Sequence, residues 1–277
     1  MGIILGLLAA IGWGSGDFAI SRVTRLIGVV QTMFYVQLFG IIAISMVLLV
    51  RHDLPTTDLG AWGLGIAANM MSLGGTLLLY RAFAIGTLSI VSPIVSGFAV
   101  ITTMLALLMG ERPGLLALGG AVLVIVGVVI AARSPSGDAV GSRGIIEAVG
   151  AAICIGVYCW AISYIIPTLG IAWPVLIGRL LTFLVALGLM VRSGSRPVRL
   201  EREVWPFAVG AAILDTIAFL CFSVGVSGTY VSVVTALSSI FSAVTVLLAW
   251  IFLRERLSMS QWVGVAGLLV GVLLVSI

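Results

Sequence analysis

Charge is scarce in this sequence. Only 9% of its 277 residues are charged, there is no lysine, and 61% are hydrophobic, with a mean hydropathy of +1.30. A soluble domain carries roughly 25% charged residues, so this composition excludes a water-soluble fold. Apolar runs of about 20 residues, each long enough to cross a bilayer as a helix, recur along the chain. The sequence therefore predicts an all-α, multi-pass membrane protein in contact with the lipid bilayer.

Cysteine and histidine are also rare. Cys154, Cys159 and Cys221 lie inside apolar runs, which favours packing over a disulfide or a metal site. His52 lies in a charged connection, where we expect it to be solvated. We predict no metal and no cofactor. The net charge of +4 comes from arginines in short connections, which set topology and contact lipid head groups, so we expect no nucleic-acid partner.

Ten apolar spans can be traced between charged or Pro/Gly-marked breaks. Three ionisable residues lie well inside a span: Asp17, Arg179 and Asp215. The predicted spans are 3–21, 28–50, 59–81, 85–110, 113–132, 144–166, 171–191, 204–226, 229–253 and 258–277.

The two halves of the chain resemble each other. A shift of 142 residues places 9–21 on 151–163 with 7 identities in 13, and a shift of 144 places Glu111-Arg112 on Glu255-Arg256. We therefore predict a five-helix repeat over 1–132, a linker over 133–143 and a second repeat over 144–277. Because five is odd, the second repeat crosses the membrane in the opposite sense, an arrangement common in secondary transporters.

Several short motifs resemble those of the EamA-type branch of the drug/metabolite transporter superfamily. They are Trp13-Gly14-Ser15, Gly110-Glu111-Arg112, Arg254-Glu255-Arg256 and Gln261-Trp262-Val263-Gly264. The resemblance covers essentially the whole chain. It implies two inverted five-helix bundles around a central cavity, alternating access, and movement of small metabolites such as amino acids, usually outward. One departure is Gln37, where the family often has an arginine, although the repeat mate Arg179 is present.

The three ionisable residues within spans are the first candidates for function, because a charge in hydrocarbon costs roughly 2.5–3.5 kcal/mol and needs a partner or a water-filled cavity. Asp17 lies one helical turn from Trp13 and is a candidate cation or proton site. Alternatively, it lies near a helix end with Arg22 or Arg25 as counter-charge.

Arg179 and Asp215 have two interpretations. A buried pair would neutralise both charges and hold helices together. Alternatively, either residue contacts substrate, offering one charge to each end of a zwitterion. The sequence leaves both open.

Polar and aromatic stripes mark further candidates for the cavity lining. Those in the third span share one helical face, and Pro93 is expected to kink or open the fourth. Small polar residues also pack helices together, so a structural role stays open. The predicted substrate-binding residues are Trp13, Asp17, Asn69, Ser72, Thr76, Tyr80, Ser92, Ser96, Tyr158, Trp160, Tyr164, Arg179, Asp215, Thr235, Ser238 and Ser242.

Together these patterns predict a secondary transporter of the inner (plasma) membrane that exports a small, amino-acid-like metabolite and is not an enzyme. The first alternative is an exporter of lipophilic cations, with Asp17 as the anionic site. A non-transporting assembly protein is a second. An intramembrane aspartyl protease is a third, because Gly14-Ser15-Gly16-Asp17 matches one of its motifs, but the expected Tyr-Asp partner is missing upstream. Small-residue faces in the fifth and tenth spans would support the bundle or form a homodimer.

Arginine placement bears on orientation. Eleven arginines follow odd-numbered spans, whereas Arg51 and Arg112 follow even-numbered ones. The positive-inside rule then places both termini outside, while the resemblance usually implies termini inside. A cysteine placed at Ser136 would distinguish the two.

Overall fold

The computed structural model describes residues 2–110, 115–131, 143–228, 230–253 and 259–275. In this part of the chain the fold is all α, without strands. Eight helical segments are long and apolar enough to cross a membrane. Two further apolar helices have 17 residues each within the described ranges. The prediction of an all-α, multi-pass membrane fold is confirmed, while the count of ten spans stays a prediction.

Within the described ranges twelve α-helices follow one another, and the eleventh continues into a π-helical stretch, Ala249–Leu253. They are α1 (Gly2–Ile27), α2 (Val29–Arg51), α3 (Leu59–Ile85), α4 (Leu88–Ser96), α5 (Phe98–Leu108), α6 (Leu115–Ala131), α7 (Ile145–Leu169), α8 (Ala172–Arg192), α9 (Trp205–Gly228), α10 (Val231–Ser238), α11 (Phe241–Leu248) and α12 (Met259–Val275).

Two predicted spans are each divided into two helices. Pro93 lies in α4, which ends at Ser96, and α5 begins after Gly97. The break lies four residues after Pro93, whereas the N–H that proline lacks would bond to the carbonyl of Ser89, four residues before it, so Pro93 does not by itself account for the break. The break between α10 and α11, at Ser239 and Ile240, has no proline and was not predicted.

Several helices are longer than their predicted spans. Arg22 and Arg25 lie in the last turns of α1, and Arg81 lies within α3. These arginines thus extend helices beyond the apolar run, which charge-based boundaries cannot detect. The linker 133–143, apart from Arg143, and the motif residues Glu111, Arg112 and Arg254 to Arg256 lie outside the described residues.

Helix starts repeat at a nearly constant interval. Val29 and Ala172, Leu88 and Val231, and Phe98 and Phe241 are pairs of first residues that lie 143 positions apart. The start of α6 likewise precedes that of α12 by 144 positions, and that of α3 precedes α9 by 146. The same order of helices, including the divided one, therefore occurs twice.

The two halves pack through reciprocal contacts. Helix α1 packs on α9 and α11, α3 and α5 pack on α7, α2 packs on α8, and α6 packs on α12. The Thr102 hydroxyl of α5 donates to the carbonyl of Gly156 in α7 over 2.8 Å, and the Thr245 hydroxyl of α11 donates to the carbonyl of Gly14 in α1 over 3.2 Å. Exchanged contacts of this kind are what a two-fold relation between the halves produces.

Glycine permits the closest of these approaches. A methyl group added at Gly14 would lie 2.7 Å from the carbonyl oxygen of Phe241, and one at Gly156 would lie 2.8 Å from that of Phe98. In membrane proteins, small residues let helix backbones meet in this way. The contact between α6 and α12 is looser, since a methyl at Gly267 would lie 3.9 Å from Gly127 Cα, an ordinary van der Waals distance.

Most of the described arginines lie at one face of the bundle. The Arg25 side chain at the end of α1 donates to the carbonyls of Phe83 and Gly86 at the end of α3. Arg81 pairs with Glu147 at the start of α7 over 3.2 Å. We call this the arginine-rich face. Its arginines are Arg22, Arg25, Arg81, Arg143, Arg192, Arg196, Arg199 and Arg202, whereas Arg51 lies at the far end of α2.

The same contacts fix which helix ends share that face. The guanidinium of Arg22, near the end of α1, lies 4.5 Å from the ring centroid of Phe207, at the start of α9. Gln31, near the start of α2, donates to the Arg196 carbonyl just beyond α8 over 2.9 Å. Helices α1 and α3 therefore end at the arginine-rich face, where their repeat counterparts α7 and α9 begin.

Candidate functional site

A cavity lies between the two halves of the bundle. It is lined by residues of α1 to α5 from the first half and of α7, α8, α9 and α11 from the second. Its free space is about 90 Å³, enough for several waters or a small solute, because one water needs at least about 10 Å³ of such space. Nine of the predicted site residues line it: Trp13, Asp17, Asn69, Ser72, Thr76, Tyr80, Tyr158, Arg179 and Asp215.

The Arg179 guanidinium is held from three sides. Its Nη2 lies 2.6 Å from Asp215 Oδ2 and donates to Thr216 Oγ1 over 3.1 Å, while Nη1 donates to Gln37 Oε1 over 3.0 Å. Arg179 is only 4% exposed. Gly40 makes room for it, since a methyl there would lie 2.9 Å from Arg179 Nε. A buried arginine needs this degree of neutralisation, because an unpaired charge in hydrocarbon is costly.

Asp17 is the third ionisable residue of the lining. It is 7% exposed, and no hydrogen bond or salt bridge reaches its carboxylate within the described ranges. The Asp215 carboxylate is close enough to repel it electrostatically. The candidate counter-charges Arg22 and Arg25 contact an aromatic ring and backbone carbonyls, respectively. Asp17 therefore faces the cavity with a carboxylate that pairs with no cation among the described residues.

The Asn69 side chain is hydrogen-bonded through its amide nitrogen, while its carbonyl oxygen has no donor among the described residues. Its Nδ2 donates to the Gly65 carbonyl over 2.9 Å, while Oδ1 is buried without a hydrogen-bond partner among the described residues. Asn69 is 1% exposed. Gly178 in α8 provides the space, since a methyl there would lie 2.5 Å from Asn69 Oδ1. Nine buried side-chain atoms of the described residues have no hydrogen-bond partner, and Asn69 Oδ1 is the one of these nine whose residue lines the cavity, so a water or a ligand there is a candidate donor.

Aromatic rings form much of the remaining wall. The Trp13 ring centroid lies 5.1 Å from that of Phe219 and 6.1 Å from that of Phe98. Phe98 and Phe241, the first residues after the two helix breaks, have ring centroids 6.2 Å apart. Tyr158 packs edge-on against Phe219 at 6.1 Å. The cavity thus combines aromatic faces with a few polar groups, as small-molecule sites do.

Seven predicted site residues lie outside this lining. Tyr164 is 59% exposed, and its ring centroid lies 5.3 Å from that of Trp160, with the two rings tilted by 60°. The others are buried serines and a threonine of the divided helices. Ser96, Ser238 and Ser242 donate to carbonyls three residues earlier, whereas Ser92 Oγ and Thr235 Oγ1 have no hydrogen-bond partner among the described residues. The seven are Ser92, Ser96, Trp160, Tyr164, Thr235, Ser238 and Ser242.

Other lining residues were not among the predicted set. Gln37 was noted only as a departure from the family pattern, although its position opposite Arg179 was a usable signal. Thr182 lies one helical turn after Arg179, which was a second signal. Gly178 and the phenylalanines carry no sequence signal that separates cavity lining from helix packing.

Comparison with known proteins shows the family to which this chain belongs. The sequence model of the EamA-like transporter family matches residues 1–133 and, a second time, residues 142–277. The chain belongs to the EamA-like transporter family. It is accordingly a multi-pass membrane protein of the drug/metabolite transporter superfamily, built from two family repeats, and its family consists of transporters rather than enzymes.

Two individual similarities accompany this membership. An uncharacterized protein of Methanocaldococcus jannaschii is 34% identical over 129 residues, which are 46% of this chain and 93% of that protein. A solved structure described only as a crystal structure of a protein superposes with a TM-score of 0.73, over 99% of this chain and 95% of the other. Its sequence identity is 16%, so it supports the fold alone.

Proposed function

We propose that this EamA-like transporter exports a small polar, amino-acid-like metabolite by alternating access, with the central cavity as its substrate site. The observation that carries the proposal is a cavity lined by both halves that holds the ionisable residues Asp17, Arg179 and Asp215 in the interior of a membrane bundle. Intramembrane ionisable residues are expensive and typically mark a substrate or ion pathway. The small free volume, about 90 Å³, favours a small solute over a bulky drug.

The alternating-access part of the proposal rests on an inverted relation between the repeats. Helices α1 and α3 end at the face where α7 and α9 begin, and the cross-repeat contacts of α5 and α11 are reciprocal. In inverted repeats, exchanging the conformations of the two halves turns an outward-open state into an inward-open one around a fixed central site. The two divided helices lie beside the cavity through Phe98 and Phe241, where such a change would be transmitted.

An exporter of lipophilic cations is the second candidate. The observation that favours it is the aromatic wall around the unpaired Asp17 carboxylate, since ring faces and a carboxylate both attract cations. We place the protein in the inner (plasma) membrane, with the arginine-rich face cytoplasmic in accordance with the positive-inside rule.

The test is flux through purified protein in proteoliposomes. Vesicles preloaded with an unlabelled solute are diluted into the labelled solute, and uptake is followed for a panel of amino acids and for lipophilic cations. We expect amino-acid-like solutes to accumulate, and we expect the variant Asp17→Asn to change their flux while Asp53→Asn, an exposed carboxylate outside the cavity, does not. Flux of lipophilic cations alone would favour the second candidate, and absence of flux for every solute would contradict transport.

A further inference from the structure

The charged groups of the cavity differ in whether protein partners already pair with them. The Arg179 guanidinium has Asp215, Gln37 and Thr216 as acceptors, so its positive charge is already compensated. Among the twenty described residues that line the cavity, no second arginine and no histidine is present. An incoming carboxylate would have to displace Asp215 from a 2.6 Å contact to pair with a cation. The described lining therefore offers an anionic group no cation that is not already paired.

Acceptors, in contrast, are left over. The Asp17 carboxylate has no partner among the described residues, and Asn69 Oδ1 is a buried acceptor without a donor. Both residues line the same cavity, from α1 and α3, two helices that pack on each other. The Asn69 acceptor cannot rotate away freely, because its amide nitrogen is bonded to Gly65. A ligand that brings N–H donors and a positive charge would satisfy both groups.

The residues around the two free acceptors indicate which kind of cation fits the cavity. Trp13, Tyr80 and Tyr158 line the same cavity, with three phenylalanines beside them, and aromatic faces attract organic ammonium groups. A hard inorganic cation such as Ca²⁺ prefers six or more oxygen ligands, more than the free acceptors here offer. An ammonium group can donate to the two free acceptors and rest against the rings.

We propose that Asp17 and Asn69 Oδ1 form an ammonium-binding pole, and that the substrate class of this transporter is organic amines recognised by their cationic end, with no carboxylate required. This inference rests on the proposed function for the role of the cavity, but it concerns recognition rather than movement. The ammonium-binding pole predicts that amines bind more tightly than carboxylic acids of the same size. A cavity lined only by uncharged polar groups would not distinguish the two.

The experiment uses matched compounds that differ in their charged ends. Binding to the purified full-length protein in detergent is measured by titration calorimetry for phenethylamine, phenylalanine and 3-phenylpropanoate, which share a phenylethyl body. A smaller set, butylamine, norvaline and pentanoate, covers the case in which the phenyl ring is too large. We expect each amine to bind at least as tightly as its amino acid, and each carboxylate to bind at least about tenfold more weakly, since a charge-assisted hydrogen bond is lost.

Variants locate the site. Asp17→Asn is expected to weaken amine binding about tenfold or more, and Asn69→Leu about threefold to tenfold, because each loses an acceptor for the ammonium group. Asp53→Asn removes an exposed carboxylate and is the control, which should bind amines like the unmodified protein. Binding of the compound series is measured on the unmodified protein, so that test does not depend on whether a variant folds.

The outcomes separate this inference from the proposed function. Carboxylates that bind as tightly as amines, no binding of either amine, or amine binding unchanged by Asp17→Asn would each overturn the ammonium-binding pole. Counterflow in proteoliposomes reports transport independently. If amines bind but no solute is transported, the ammonium-binding pole is supported and the transport function is contradicted. If carboxylic acids are transported and bind no more weakly than amines, the transport function is supported and the ammonium-binding pole is contradicted.

Discussion

Breaking the Arg179–Asp215 pair should destabilise the protein more than removing both of its charges. The variant Arg179→Gln leaves the Asp215 carboxylate without its 2.6 Å partner and removes donors from Gln37 and Thr216. Removing one member of a buried pair costs about 3–5 kcal/mol. Asp215 is 17% exposed to the cavity, where water can solvate it, so we expect the lower end, about 3 kcal/mol.

The double variant Arg179→Gln/Asp215→Asn removes the uncompensated charge together with its partner. We expect it to lose only about 1–2 kcal/mol relative to the unmodified protein, since neutral amides replace the ion pair without a buried charge. Asp215→Asn should also cost at least about 3 kcal/mol, because it leaves the buried Arg179 guanidinium without its counter-charge. The sum of the single losses should then exceed the loss in the double variant by about 4 kcal/mol, since each single variant leaves an uncompensated charge and the double variant leaves none.

The assay is equilibrium unfolding of the purified protein in mixed micelles, with a denaturing detergent as the variable and tryptophan fluorescence as the signal. The Arg51–Asp53 pair is the control, because its side chains are 50% and 31% exposed and exposed pairs contribute less than about 1 kcal/mol. If the losses at Arg179 and Asp215 add within about 0.5 kcal/mol, the pair does not stabilise the fold, and the claim that Arg179 is committed to Asp215 fails.

Three further predictions use other contacts. Gly14→Ala should cost about 1–3 kcal/mol in the same unfolding assay, because the new methyl would lie 2.5 Å from Val244 Cβ, whereas Gly210→Ala, with nothing within 4 Å, should cost nothing and gain up to about 1 kcal/mol of helix propensity. Gly178→Ala should lower amine affinity in calorimetry by displacing Asn69 Oδ1, and unchanged affinity would contradict its placement. A cysteine at exposed Ser195, in a chain without native cysteines, should react with an impermeant thiol reagent only from the cytoplasmic side; reaction from outside only would reverse the proposed orientation.

The fold was largely predictable because its main determinants are local. Apolar length identifies a membrane helix, and the recurrence of similar segments identified the repeat before any contact was known. An opening of the fourth span is predicted at Pro93, but the helix runs through Pro93 and breaks at Gly97. The equivalent break before Phe241 is not predicted, because no proline or glycine marks it in the sequence and only the repeat relation to Phe98 points to it.

The site was predictable where a residue is costly in a membrane. Asp17, Arg179 and Asp215 stand out from the sequence because each charge needs a solvent or a partner, and all three line the cavity. Hydroxyl side chains carry no such signal, because a serine can satisfy itself on its own helix, as Ser96 and Ser238 do. The spare acceptor on Asn69 depends on Gly65 and Gly178, which come together only through the packing of α3 and α8.

The scaffold repeats, but the cavity chemistry does not. Arg179 lies 142 positions after Gln37, and the two are hydrogen-bonded to each other. Asp215 lies 146 positions after Asn69, the same interval that separates the starts of α9 and α3. Thus the second half supplies the compensated ion pair and the first half supplies amides at the matching positions. A symmetric lining would place like charges opposite each other and repel at least one of them.

The position of Asp17 completes this asymmetry. Its counterpart, 142 positions later, is the buried and uncharged Cys159. The carboxylate that lacks a protein cation therefore belongs to the first half, as does the spare Asn69 acceptor, while the only guanidinium in the lining is neutralised within the second. In the proposed alternating access the two halves exchange conformations around a fixed site, yet a ligand in that site meets chemically different walls. We therefore expect the proposed amine substrate to bind in one orientation, with its ammonium group toward α1 and α3.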